Sequence, residues 1–184
     1  MRADAQRNVE RILDAAVDAL TDDVDASMTE VARRAGVARA TVYVHYPTRE
    51  ALIDAVRARA FGEVADVIAQ AAPQRDDPVE ALKRVTAAAW RKLGRYHALV
   101  AISTSTQTPQ ELHDEHAAAL GPLLPLIRRG QRSGAFRADV PAAWHLGMLL
   151  ALIHAASAEV RAGRIDETAA EPAVIATVLG ALSA

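Results

Sequence analysis

The chain has 184 residues, a formal net charge of −2, 51% apolar residues, 4% aromatics and no cysteine. That length holds one domain, or one with a small appendage, and the apolar share is enough for a core built mainly from Ala, Leu, Val and Ile. Without cysteine there is no disulfide, thiolate metal site or thiol redox switch.

Taken in chain order, the apolar periodicity predicts helices only. A first helix is expected over 5–20, with Val9, Ile12, Leu13, Ala16, Val17 and Leu20 at helical spacing. Ser27 and Glu30 have the spacing of a capping box, so a second helix starts at Met28. Gly36 ends it, in a turn that calls for positive φ. A short third helix runs over 39–45 until Pro47 stops it, and Val31, Val37 and Val42 form the seam between the two. Thr48 caps a fourth helix over 49–69, and 73–77 is a linker. Asp77-Pro78-Val79-Glu80 opens a fifth helix that Gly94 breaks. A short helix is expected over 96–103, and Thr108-Pro109-Gln110-Glu111 opens the next. Gly121, Pro122 and Pro125 kink or split that one, and Gly134 ends it. Pro141 starts a further helix that Gly163 ends, and a last helix spans 169–182. Alternating β-branched runs are absent, so the fold class is all-α, with about nine helices. The polar start MRADAQRNVE does not read as a signal peptide. The longest apolar run, 142–158, is broken by His145 and His154 and is short for a membrane span. A cytoplasmic protein with no membrane partner is expected.

Residues 27–52 carry the functional signal. Two short helices joined by a tight glycine turn, with a third following at once, make a helix-turn-helix. No acidic residue occurs from Val31 to Arg49, where Arg33, Arg34, Arg39 and Arg49 all fall. Such a local basic patch on a mildly acidic chain suits phosphate contacts. The bland reading is a helical hairpin with solvated arginines. The capping box, the Ala-Gly-Val spacing and the aromatic-proline stop favour a DNA groove reader.

The segment resembles the DNA-binding domain of the TetR (tetracycline repressor) family. Val31-Ala32-Arg33-Arg34-Ala35-Gly36-Val37 is similar to the family's first motif helix and turn, and Ala40-Thr41-Val42-Tyr43-Val44-His45-Tyr46 to its recognition helix. Pro47-Thr48-Arg49-Glu50-Ala51-Leu52 is similar to the start of its fourth helix, and Arg11-Ile12-Leu13-Asp14-Ala15-Ala16 to the end of its first. Ala38 stands where the family often has a Ser or Thr N-cap, which weakens that helix start by about 1 kcal/mol. The acidic stretch Thr21-Asp22-Asp23-Val24-Asp25 replaces a common glycine. The resemblance implies a DNA-binding domain at 1–49 and a helical ligand-binding and dimerisation domain at 50–184. It further implies a homodimeric repressor bound to double-stranded operator DNA and released by a small-molecule inducer, with no cofactor. The expected DNA contacts are Arg39, Ala40, Thr41, Tyr43, His45, Tyr46 and Arg49. Of these, Tyr43 and Arg49 would hold the backbone, and Arg39, Ala40, Thr41 and His45 would lie nearest base edges.

The remaining candidates are weighed against plainer readings. Trp144, Leu152, Val174, Val178 and Leu179 belong to helices apolar beyond one stripe, which fits a two-fold interface or a central core helix. Phe61, Trp90, Tyr96, Met148 and His154 are candidates to line a cavity for a largely apolar inducer, or are ordinary core. His113 and His116 are three apart, but a solvated face explains them better than a metal site. Ser103–Thr108 beside His97 offers hydroxyls for a catalytic triad without anything to fix its geometry, so no catalytic residue is expected. The alternative function is a helical ligand-binding or enzymatic protein that keeps the hairpin as structure.

Overall fold

The computed structural model describes residues 2–71, 77–96, 102, 108, 114, 116, 117 and 119–183. Eight α-helices are found among them: α1 (Arg2–Asp22), α2 (Met28–Ala35), α3 (Arg39–His45), α4 (Arg49–Ala71), α5 (Pro78–Gly94), α6 (Leu124–Ser133), α7 (Ala142–Arg161) and α8 (Glu167–Leu182). A 3-10 turn, Gly121–Leu123, precedes α6. Among the described residues there is no strand, only an isolated bridge between Phe136 and Ser183. The helix expected over 96–103, the helix start at 108–111, the linker 73–76, the hydroxyls of 103–106, His97 and His113 lie outside the described residues, apart from Tyr96, Ile102 and Thr108.

The chain packs as two compact units, Met1–Phe61 with Arg95–Thr108, and Gly62–Gly94 with Pro109–Ala184. In the first, α1 packs on α2 and α2 on α3. The expected stripe on α1 is the base of the core: Ile12, Ala16, Val17 and Leu20 are all buried. Val31 and Val42 are buried as the seam of α2 and α3, with Val37 packed against them. Leu52, Ile53, Val56 and Ala60 of α4 complete this core.

Helix α2 begins as its capping box requires. The Ser27 hydroxyl accepts the Glu30 N–H at 3.2 Å. It ends at Gly36, in the left-handed region at φ 63°, whose N–H reaches the carbonyls of Ala32 and Arg33. A Cβ at Gly36 would lie 2.8 Å from Arg11 Nη2. That same nitrogen donates to the Ala35 and Gly36 carbonyls, at 2.6 and 3.2 Å. A guanidinium from α1 therefore ties down the turn that aims α3. Helix α4 is capped by Thr48, whose hydroxyl accepts the Ala51 N–H at 3.1 Å.

In the second unit, α5 packs on α6 and α8, and α7 packs on α6 and α8. Asp77 caps α5 by accepting the Val79 and Glu80 N–H groups at 2.9 and 3.0 Å. Leu82, Val85, Trp90, Ile127, Phe136, Leu149, Ile153, Val178 and Leu182 are the heart of the core. The Phe136 ring lies on Gly130, where a Cβ would sit 2.0 Å from it, so glycine is required for this approach. The Arg137 N–H donates to the Leu182 carbonyl at 2.9 Å and pins the end of α8. Helix α7 is long and apolar enough to cross a membrane by length and composition alone. Its Leu146, Leu149, Ile153 and Ser157 are buried, while Trp144, Gly147, Ala151 and Ala155 are exposed.

Candidate nucleic-acid interface

Helix α3 has seven residues, and Val42 is the one it buries. A helix this short has too few internal hydrogen bonds to persist alone. Its N-cap, Ala38, makes no side-chain hydrogen bond. Its end is closed by the Tyr46 N–H, which donates to the Val42 carbonyl at 2.8 Å. Packing through Val42 and the turn at Gly36 hold it, and its other faces stay open.

Arg39, Ala40, Tyr43 and Val44 are exposed, and Thr41 and His45 are half-buried. The Arg39 guanidinium lies 5.3 Å from the centre of the Tyr43 ring. Its Nη2 donates to the Tyr43 hydroxyl at 3.3 Å. This cation–π contact holds two long side chains side by side on the open face before any ligand arrives. Among the described residues Arg39 has no carboxylate partner, so its charge remains available to an anion.

The other arginines of the patch are used within the protein. Glu30 accepts from Arg33 at 2.6 and 2.8 Å and from Arg34 at 2.7 Å. Arg34 also reaches Asp22 of α1 at 2.7 Å. Hydrogen bonds from Arg33 and then Arg34 hold the Glu30 carboxyl down at about 2. The Arg49 guanidinium donates to the Val24 carbonyl and, at 3.4 Å, to the Ala26 carbonyl. Arg49, expected at a phosphate, is half-buried and bonds the loop that enters α2. Tyr46, expected at the same surface, is buried in the first core, and burial pushes its hydroxyl pKa up. The open face thus consists of Arg39, Ala40, Thr41, Tyr43 and His45, joined by Val44, which sequence reasoning passed over. Val44 is 80% exposed, the most open of the large apolar side chains among the described residues. Only its phase on α3 relative to buried Val42 marks it in the sequence.

The candidates for the second domain are dispersed. Phe61 and Tyr96 belong to the first unit and Trp90, Met148 and His154 to the second. Trp90 and Tyr96 are buried in their respective cores. Met148 lines a small recess of about 150 Å³ with Trp144 and His145. His154 is half-buried, with its ring centre 5.3 Å from that of His116. One turn before Trp90 on α5, the Thr86 hydroxyl is buried without a hydrogen-bond partner among the described residues.

Of the expected interface residues, Val174 and Val178 are buried within the second unit, because their stripe on α8 faces the protomer's own core. Leu152 and Leu179 are half-buried and Trp144 is 60% exposed. An open apolar groove of about 320 Å³ runs between α7 and α8, lined by Leu152, Ala155, Ala156, Ile165, Ala173, Val174 and Thr177, among others. Among the described residues no cluster of three or more His, Asp or Glu is placed to hold a metal ion.

Residues 12–56 match the family model for bacterial regulatory proteins of the tetR family. The chain is similar to the HTH-type transcriptional regulator NfxB of Pseudomonas aeruginosa, 26% identical over 161 residues that cover 84% of this chain and 83% of the relative. A TetR family transcription regulator from Marinobacter aquaeolei has the same fold, at TM-score 0.75 and 22% identity, over 100% of this chain and 99% of that one. So does the TetR-like transcriptional regulator LfrR of Mycobacterium smegmatis in complex with proflavine, at TM-score 0.75 and 23% identity, over 97% and 98% of the two chains. The matched segment covers α2, the Gly36 turn, the open face of α3 and the start of α4, so residues 12–56 carry a DNA-binding domain of the tetR type, and the chain is similar over most of its length to a transcriptional regulator rather than to an enzyme.

Proposed function

We propose that the protein is a cytoplasmic, homodimeric repressor that a small, largely apolar inducer releases from its operator. The observation that carries this reading is the open face of α3, where a preset Arg39–Tyr43 pair stands on a helix that buries one residue. Residues 1–49 are assigned to DNA binding and 50–184 to ligand binding and dimerisation. Two short helices are needed to engage two half-sites, and a two-fold dimer supplies the second.

The dimer reading rests on α7 and α8. Trp144, Gly147, Ala151 and Ala155 on one, and Ala173, Ala176 and Gly180 on the other, are exposed, apolar and mostly small. A helix apolar on both faces needs cover on both. Small residues let a second copy of the same helices approach closely. Leu152, Leu179 and Trp144 are then the interface residues, and Val174 and Val178 support it from within. The inducer reading rests on Trp90 and the Thr86 hydroxyl one turn away, which is buried and without a hydrogen-bond partner among the described residues, an apolar setting with one polar point. LfrR, solved in complex with proflavine, supports binding of a small molecule, though not its apolar character.

Sedimentation of wild type and an Ala155→Glu variant tests the assembly. The wild type is expected to be a dimer. The variant, with the charge counted twice across a two-fold axis, is expected to be a folded monomer with weakened operator binding. A dimer that survives the substitution contradicts this interface. For control, compounds that quench tryptophan fluorescence saturably are tested for their effect on operator affinity, with a loss of about 5- to 150-fold expected. Saturable binding with unchanged operator affinity overturns the inducer mechanism for those ligands.

A further inference from the structure

We propose that Val44 reads the 5-methyl group of a thymine in the operator's major groove and is a specificity-determining residue of this regulator. The inference rests on the DNA-reading function of α3. Val44 is 80% exposed, so its side chain contributes almost nothing to the core. It is also a poor choice for an exposed helix end, where Lys, Glu or Arg favours the helix more and keeps the surface soluble. Nothing in the folding of the first unit accounts for a valine there.

Its neighbours define what it can touch. Ala40 lies one turn before it and is exposed, and Thr41 lies three residues before it and is half-buried. Residues three and four apart share a helix face, so Ala40, Thr41 and Val44 form one ridge of small apolar groups. Arg39 and Tyr43, paired over 5.3 Å, form the adjacent ridge. The surface therefore sets a methyl-rich strip beside a cation and a phenol. A docked protein would need an apolar patch of several hundred Å², which one valine and one alanine do not make. The major-groove edge of DNA matches it better. Thymine's methyl is the one apolar group that base pairs present there, and phosphates flank it for the arginine.

The test starts from a half-site obtained by selecting bound duplexes from random DNA. Each thymine in it is then replaced singly by deoxyuridine, which removes the methyl and leaves every hydrogen-bonding group of the pair. For the full-length wild-type protein, one such replacement per half-site is expected to weaken binding roughly fourfold, the scale of one lost methyl contact. In Val44→Ala the penalty at that thymine should fall to near one, with penalties elsewhere unchanged. Val44→Thr, which keeps a methyl, should retain much of it. Equal unfolding midpoints for the three proteins, expected for so exposed a site, keep the comparison free of folding effects. Enrichment of a half-site without thymine, insensitivity of the wild type to every deoxyuridine, or an undiminished penalty in Val44→Ala overturns the assignment of Val44 alone. Failure to enrich any duplex overturns the DNA-reading function and this inference with it.

Discussion

Helix α3 and helix α7 put their apolar residues to opposite uses. Helix α3 is seven residues long, buries Val42 alone and displays Arg39, Tyr43 and Val44. Helix α7 is 20 residues long, buries Leu146, Leu149 and Ile153, and displays Trp144, Ala151 and Ala155. The short helix has almost no stability of its own and borrows its position from the Arg11-bound turn and the seam with α2. Its function lies in side chains that the fold does not use. The long helix is secured by its own unit, and its exposed face is the one proposed to meet a second copy. The contrast teaches that in this chain exposed charge with an aromatic partner marks the ligand-reading surface. Exposed small apolar residues mark the surface proposed for self-association.

Four perturbations break or sharpen that contrast. The largest effect is expected from Arg39→Ala with Tyr43→Ala. Both side chains are exposed and serve no core, so operator affinity should fall roughly a hundredfold while the unfolding midpoint stays put. Fluorescence anisotropy with a matched thermal melt separates the two. Unchanged affinity would mean that α3 is only structural.

Next is Gly36→Val, which tests whether α3 depends on borrowed position. A side chain there meets Arg11 and the backbone sits at φ 63°. The first unit should lose about 2–3 kcal/mol in urea denaturation. A wild-type midpoint would show that the turn is not what places α3.

A smaller effect in the opposite direction is expected for Ala38→Ser. The N-cap of α3 has extended backbone and no side-chain cap, and Ser27 shows what a serine does at the equivalent position of α2. Supplying the hydroxyl should stabilise the first unit by about 1 kcal/mol. Loss of stability would mean that the N-cap geometry is wrong.

The last belongs to the second unit, and it vanishes at neutral pH, emerging only as the pH falls. Burial, followed by nearby His116 and Arg161, holds His154 down at about 4 from its ordinary 6.5. The folded state favours the neutral ring, so its contribution is complete above pH 6.5 and is lost as pH falls toward 4. His154→Gln should flatten that part of the stability profile, read by denaturant midpoints across the range. An identical pH dependence in wild type and variant would show that His154 does not set it.

The parts of the fold that were legible in the sequence are those with local causes. Ser27, Thr48 and Asp77 cap the helices they precede, Gly36 and Gly134 take the positive φ that ends α2 and α6, and α3 spans the residues that Pro47 delimits. The illegible parts have distant causes. Arg11 reaches carbonyls 24 and 25 residues away, and Arg49 reaches back 23 and 25 residues, so no short pattern announces either. Val174 and Val178 spell an apolar stripe equally well for a protomer's core or for a partner, and only packing decides that they face inward. Tyr46 is ambiguous for the same reason, since an aromatic ending a recognition helix suits either the groove or the core, and here it is buried. One signal was present and unread. Glu30 precedes Arg33 and Arg34 by three and four residues, the spacing at which a carboxylate takes up both charges.

On this account α3 recognises a particular DNA sequence through a few exposed side chains and the positive charge of Arg39, which has no carboxylate partner among the described residues. The most direct measurement compares wild-type affinity for its selected duplex and for a scrambled duplex of equal length, across a series of salt concentrations. The expected result is binding of the selected duplex at least a thousandfold tighter, with both affinities falling as salt rises. Equal affinity for the two duplexes, or affinity indifferent to salt, would contradict it.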